Sequence, residues 1–285
     1  MNRINNSPVS KNNRIAIIAL IVAGVIFIAI AAYAITKKSS ESSGSRTPEH
    51  TQSYIGLDNV IIPKNTPSEI KEYEGFKLSF NKNTRVPNWV SWELLRHETD
   101  GELSRSNNFW EDTEIEGCAT LNDYRRSGYD RGHMCPAADQ KWSEKAMSDC
   151  FVLSNMAPQD HALNTGAWKT LEEKERLWAK RDSAIVIVAG PLYLSDDIKT
   201  IGKGVKVPDA FFKVLLAPYL PSPRSIGFIY PNMSAPGNMQ NYVVTVDEVE
   251  RITGFDFFSA LPDSIENEIE SVASFKDWNR ISKKH

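Results

Sequence analysis

The sequence predicts an α+β domain, and three observations carry the expectation. Short β-branched and aromatic runs, closed by Gly, Pro or Asn, recur along the second half of the chain. Amphipathic helical stretches are fewer and fall between and after those runs. From about Tyr54 onward the composition is that of a folded protein, in a chain of 285 residues that is 41% apolar and 24% charged, ordinary values for a globular protein.

The chain opens with a short polar segment, residues 1–14. Ile15 to Ile35 is then an unbroken apolar run of 21 residues. As a helix it would span roughly 31 Å, close to the hydrocarbon thickness of a bilayer. Two readings of residues 15–36 compete: a transmembrane anchor, and a signal peptide cleaved after Ala32-Tyr33-Ala34. The length favours the anchor, because the apolar core of a signal peptide is about 7–15 residues. Basic residues flank both ends, so the positive-inside rule does not choose an orientation. Residues 37–53 are rich in Ser and Thr and read as a flexible tether, leaving 54–285 as the folded domain.

Within that domain Phe151-Val152-Leu153 is an apolar run that stops at Ser154-Asn155. Thr165 to Arg181 places Ala167, Trp168, Leu171 and Trp178 on one stripe, which predicts an amphipathic helix. Ala184–Ala189, ended by Gly190-Pro191, predicts a buried strand, and Phe212–Leu216, Ile226–Tyr230 and Tyr242–Val246 have the same character. Val246–Thr253, ended by Gly254, and Ser264–Ala273 predict two short helices. The seven tryptophans could stack on bases, but a core role is the expectation for each.

Six of the 33 basic and two of the 36 acidic residues lie in the first fifty, so the rest of the chain carries a net charge of −7. That excludes a domain that grips nucleic acid over its whole surface, and confines any polyanion to a local cleft. Three cysteines, Cys118, Cys135 and Cys150, allow at most one disulfide. Cys118 and Cys150 are the expected pair if the domain lies outside the cytoplasm. No CxxC or HxxxH spacing supports zinc.

Tyr129–Ser143, "YDRGHMCPAADQKWS", holds Asp130, Arg131, Gly132 and His133 in succession, a run costly to bury and odd in a surface loop. Thirty-one positions after His133 comes Asn164, where the predicted helix begins, and Glu172 follows eight residues on. On an ideal helix, eight residues turn about 80° beyond two full turns and rise roughly 12 Å. Asn164 and Glu172 would then share a broad face without both gripping one small ion. That suits Mg²⁺, which keeps several waters and takes few protein ligands. Each residue also has a structural reading: Asn164 as a helix cap, Glu172 as a solvated charge, His133 as a hydrogen-bonded structural histidine, Arg131 as a partner of Asp130.

Asp130-Arg131-Gly132-His133 with Pro136-Ala137-Ala138-Asp139 resembles the signature of the DNA/RNA non-specific endonucleases, the ββα-metal nucleases. The likeness continues through Ser154–Gln159, Leu163–Trp168 and Leu171-Glu172, with weaker echoes to Phe258. It implies a central mixed or antiparallel sheet flanked by helices. It also implies roles: His133 as general base, Asn164 as the direct protein ligand of a catalytic Mg²⁺ (with Mn²⁺ as a substitute), and Glu172 as a carboxylate steadying coordinated water. Asn155 would steady the site, and Arg131 would contact phosphate. For the family's further arginine, upstream of the motif, Arg96 and Arg105 are both candidates. Arg125, Arg126, Lys141 and Lys169 are candidates for a local basic rim. The expected partners are DNA and RNA, the membrane through the N-terminal helix, and a second copy in a homodimer. The expected place is a single-pass membrane position with the nuclease domain outside the cytoplasm, or secretion if the leader is cleaved. A catalytically inactive, membrane-tethered nucleic-acid-binding protein is the alternative, and a redox domain built on the three cysteines is a third.

Overall fold

The computed structural model describes residues 60–66 and 70–280; the anchor expected at 15–36 and the tether at 37–53 lie outside them. Among the described residues no helix is long and apolar enough to cross a membrane. The first strands among the described residues are β1 (Ile70–Tyr73), β2 (Phe76–Asn81) and β3 (Val86–Leu95). Next come α1 (Leu121–Tyr124), β4 (Asp130–His133), α2 (Glu144–Asp149) and β5 (Met156–Gln159). Two helices follow, α3 (His161–Asn164) and α4 (Ala167–Asp182), then β6 (Ala184–Leu192). The chain continues with β7 (Thr200–Ile201), β8 (Val205–Lys206), β9 (Ala210–Ala217), β10 (Arg224–Pro231) and β11 (Val243–Val244). It closes with α5 (Val246–Thr253), α6 (Asp263–Glu270) and α7 (Phe275–Trp278).

Seven of the strands form one sheet in the order β1-β2-β3-β6-β9-β10-β11, antiparallel at every pairing. The expected α+β class holds, and the sheet is antiparallel, not mixed. β6 is buried along its whole length, so it reads as a continuous apolar run instead of an alternating one. Its side chains still alternate in space. Ile185, Ile187 and Ala189 join the core under α4, whereas Val186 and Val188 join the core under α5 and α6. Five tryptophans, Trp89, Trp92, Trp168, Trp178 and Trp278, are buried in these two layers, as expected of core residues.

The helix predicted over Thr165–Arg181 forms as α4, with Trp168, Leu171 and Trp178 buried. Asn164 does not begin it. Gly166 has φ −109° and ψ −109°, outside the helical region. A Cβ on Gly166 would lie 2.4 Å from the Ala162 carbonyl oxygen, so the close turn requires glycine. Asn164 therefore closes α3, and the helical spacing expected between Asn164 and Glu172 is corrected: the two stand on different helices. α5 forms as predicted, with the Thr245 side chain accepting from the Glu248 N–H at 3.1 Å and Gly254 ending it at φ 73°. α6 is shorter than expected, and the strand expected at Tyr242–Val246 contracts to β11 because Val246 already starts α5.

The Cys118–Cys150 disulfide is also corrected. All three thiols are free. Cys150 Sγ donates to the Met147 carbonyl at 3.1 Å, and Cys135 Sγ accepts from Gln140 Nε2 at 3.1 Å. Burial pushes the Cys118 and Cys150 thiols up to about 12, which leaves them protonated and unreactive at neutral pH. A redox role gains nothing from this arrangement.

Candidate active site

β4 pairs antiparallel with β5, setting Asp130 opposite Gln159, Arg131 opposite Pro158, Gly132 opposite Ala157 and His133 opposite Met156. The glycine within the motif has a packing reason. A Cβ on Gly132 would meet the Gln159 side chain at 2.4–2.5 Å. Strand geometry then divides the motif, because successive side chains leave opposite faces. Asp130 points to α3 and Arg131 and His133 point to Phe109, an alternation visible in their contacts.

On the first face Asp130 Oδ2 accepts from Asn164 Nδ2 at 2.8 Å and lies 2.8 Å from His161 Nδ1. His161 and Asn164 are three residues apart on α3, so both meet one carboxylate. Asp160 caps that short helix by accepting from the N–H groups of Ala162 and Leu163, and Leu163 anchors it in the core. An ionised carboxylate only accepts, so Asn164 must turn its NH₂ toward Asp130. Its carbonyl Oδ1 is left as the atom a cation can use.

On the second face the Arg131 guanidinium lies 4.0 Å from the centroid of Phe109. His133 packs edge-on against Phe151, centroids 5.0 Å apart, and tilts against Phe109 at 5.6 Å. Its ring hydrogen-bonds the Arg131 backbone, and its buried Nε2 has no partner among the described residues. Desolvation first, then the Arg105 and Arg131 cations, lower the His133 pKa to about 3. His133 is neutral at physiological pH, with Nε2 available to accept a proton.

A cleft of about 670 Å³ lies over these groups, lined by Arg105, Phe109, Tyr124, Arg125, Asp130, Arg131 and Asn164 among others. The structure thus brings Arg131 and Asn164 to one cleft, with His133 beneath Phe109. Of the two upstream arginines, Arg105 lines the cleft and stands 5.0 Å over Phe151. Arg96 instead binds the Arg181 carbonyl and Ser183 Oγ. Of the expected basic rim, Arg125 lines the cleft; Arg126, Lys141 and Lys169 do not.

Asn155 and Glu172 are not in the cleft lining. Asn155 is fully buried and brackets the backbone: Oδ1 accepts from Cys135 N–H at 2.9 Å, while Nδ2 donates to the Cys135 carbonyl at 2.9 Å and the Cys150 carbonyl at 2.8 Å. It ties the chain leaving His133 to the end of α2, so any part it has is positioning. Glu172, half-buried on α4, borders a polar network within the core. There Lys213 Nζ meets Glu175 Oε2 at 2.8 Å with both side chains inaccessible, and Arg176 meets Asp139 at 2.8 Å. Burial pushes Glu172 up to about 7, opposed by Lys213 and reinforced by Glu175 and Asp139.

These residues, in this order on this fold, match a known sequence family. The family profile of DNA/RNA non-specific endonucleases matches residues 57–264. The chain belongs to the DNA/RNA non-specific endonuclease family. Its relatives include mitochondrial nuclease EXOG of Danio rerio, 34% identical over 235 residues that cover 75% of this chain and 68% of that protein. Mitochondrial endonuclease G of Bos taurus is 34% identical over 208 residues, 67% of this chain and 69% of that protein. A chain in the crystal structure of an EndoG/EndoGI complex superposes with a TM-score of 0.67 at 30% identity, covering 77% of this chain and 95% of that one. As a family member the chain is a nuclease, a hydrolase of phosphodiester bonds.

Sequence reasoning about this nuclease missed Phe109 and the Lys213–Glu175 pair. An aromatic inside the polar stretch "SRSNNFWEDTE" was the available sign of the first. A lysine in an otherwise apolar strand, "FFKVLLA", was the sign of the second.

Proposed function

We propose that the chain is a Mg²⁺-dependent endonuclease that cleaves DNA and RNA with little sequence preference, carried on its N-terminal apolar segment. The observation that carries this reading is the division of β4. One face presents Asn164 held by Asp130 and the other presents Arg131, these three lining one cleft, with a neutral His133 buried against Phe109 on the Arg131 side. The donor chemistry fits a hard cation: an amide oxygen with a carboxylate beside it, and no sulfur or imidazole nitrogen required. Asn164 Oδ1 would hold the ion, with Asp130 fixing the amide. Bound Mg²⁺ supplies Lewis-acid stabilisation of charge on the phosphate and the departing oxygen.

The chain's own residues do the rest. His133 Nε2 takes a proton from the attacking water, and its ring is held for this by the Arg131 backbone and by Phe151. Arg131 and Arg105 offer charge-assisted hydrogen bonds to the same phosphate. Asn155 fixes the backbone that follows His133. These groups address the phosphodiester backbone and not base edges, so the site reads little sequence. Burial on one side and Lys213 on the other poise the Glu172 carboxyl near neutrality, suited to steadying coordinated water.

The test is digestion of covalently closed plasmid and of single-stranded RNA by the full-length protein, with Mg²⁺ and with EDTA. Both substrates should be cut with Mg²⁺ and stay intact with EDTA. Cleavage that resists EDTA contradicts the metal assignment. Binding of both without cleavage favours the inactive nucleic-acid-binding alternative.

A further inference from the structure

On the face of the sheet opposite the cleft, α5 and α6 bring three carboxylates together. Asp247, Glu250 and Glu270 place one oxygen each within 4.8 Å of one another. Three like charges at such separations repel strongly unless a proton or a cation intervenes. Arg251, the arginine on α5, does not relieve them, because it is paired with Glu248 at 2.7 Å. Glu250 Oε1 accepts one hydrogen bond, from Phe257 N–H at 2.7 Å.

A second observation points to a ligand. Glu270 is only 4% exposed, and its buried Oε1 has no hydrogen-bond partner among the described residues. An unpaired carboxylate oxygen in an apolar layer with Val246, Val249 and Ile269 is costly, and native structures usually satisfy such a group. Asp256 and Glu266 add to the negative field around it.

We propose that Asp247, Glu250 and Glu270 form a second divalent-cation site, of calcium type, that ties α5 to α6. The donors are all hard oxygens, which excludes a preference for zinc or copper. Oxygens within 4.8 Å of one another can share one Ca²⁺, across which opposite ligands stand about 4.6–5.2 Å apart. Ca²⁺ accepts irregular oxygen sets, whereas Mg²⁺ demands near-ideal octahedral geometry. Asp247 is exposed, leaving that side of the ion to water.

The test is Ca²⁺ uptake by the full-length protein at pH 8, measured by equilibrium dialysis and calorimetry. Asn164→Ala is present throughout, so the cleft makes no contribution. The parent should take up one Ca²⁺ per chain with a Kd of about 10⁻⁴–10⁻³ M, and its Tm should rise with Ca²⁺. Asp247→Asn combined with Glu270→Gln should weaken binding at least ~10-fold and abolish the Tm response. Asp247→Asn alone changes only an exposed residue and should already weaken uptake. Equal uptake by parent and variants, or none at about tenfold above the stated Kd range, overturns the proposal and assigns Glu270 a permanent proton.

Discussion

His133→Ala lowers the rate of Mg²⁺-dependent cleavage by about 10²–10⁴-fold while the domain stays folded. The loss follows from geometry, because Nε2 is the basic nitrogen left unpaired beside Arg131. The ring is buried against Phe109 and Phe151, so circular dichroism should stay native while the unfolding midpoint falls only by the lost packing, a small change beside that in activity. A pH profile adds an independent check. In the free protein the imidazole is held down near 3 by burial and by Arg105 and Arg131, so the acidic limb of kcat/KM due to His133 lies well below neutrality. A bound phosphate offsets both cations and favours the imidazolium. The acidic limb of kcat should therefore fall at higher pH than that of kcat/KM. A fully active His133→Ala protein ends this assignment.

Lys213→Met destabilises the domain by about 3–5 kcal/mol, the usual cost of breaking a buried ion pair from one side. Lys213 stands on β9 with no exposure, 2.8 Å from Glu175 Oε2 and over the Trp168 ring at 4.6 Å. Removing the ammonium leaves the buried Glu175 carboxylate without its ion-pair partner, beside an Arg176 already paired with Asp139. Urea unfolding of Lys213→Met, Glu175→Gln and the double variant measures this. The double variant should recover much of the loss, because neither charge is then orphaned. A single variant that costs under about 1 kcal/mol would mean that water already reaches the pair. The pair also sits behind Glu172, so Lys213→Met should move the pH dependence of activity as well as stability.

Much of this architecture was legible in the sequence because it rests on local rules. α5 is bounded by Thr245 and Gly254, a capping side chain and a left-handed terminator, and both act through neighbouring backbone. β6 and α4 were visible as an apolar run and an apolar stripe. The break at Gly166 was not, because it depends on a close approach to the Ala162 carbonyl that periodicity does not encode. The cysteines misled for a similar reason: Cys118 and Cys150 bracket the motif, but Cys150 Sγ bonds the Met147 carbonyl and Cys135 Sγ accepts from Gln140, with no bridge formed. In the candidate site, Arg131, His133 and Asn164 were singled out by their order and by the family resemblance, and Arg131 and Asn164 meet at one cleft. Arg105 could be separated from Arg96 only in three dimensions, where one meets the cleft and the other a helix end. Glu172 was singled out, but its pKa is set first by burial and then by Lys213 on β9, beside the local Glu175 and the distant Asp139, a combination that spacing does not show.

The most direct measurement is the rate of plasmid cleavage as a function of Mg²⁺ concentration, for the wild type and for Asn164→Ala. If Asn164 Oδ1 is the protein's hold on the ion, the variant needs at least ~10-fold more Mg²⁺ for half-maximal activity and reaches a lower plateau. Superimposable curves would mean that the ion is bound elsewhere, and that β4 and α3 do not meet across one phosphodiester.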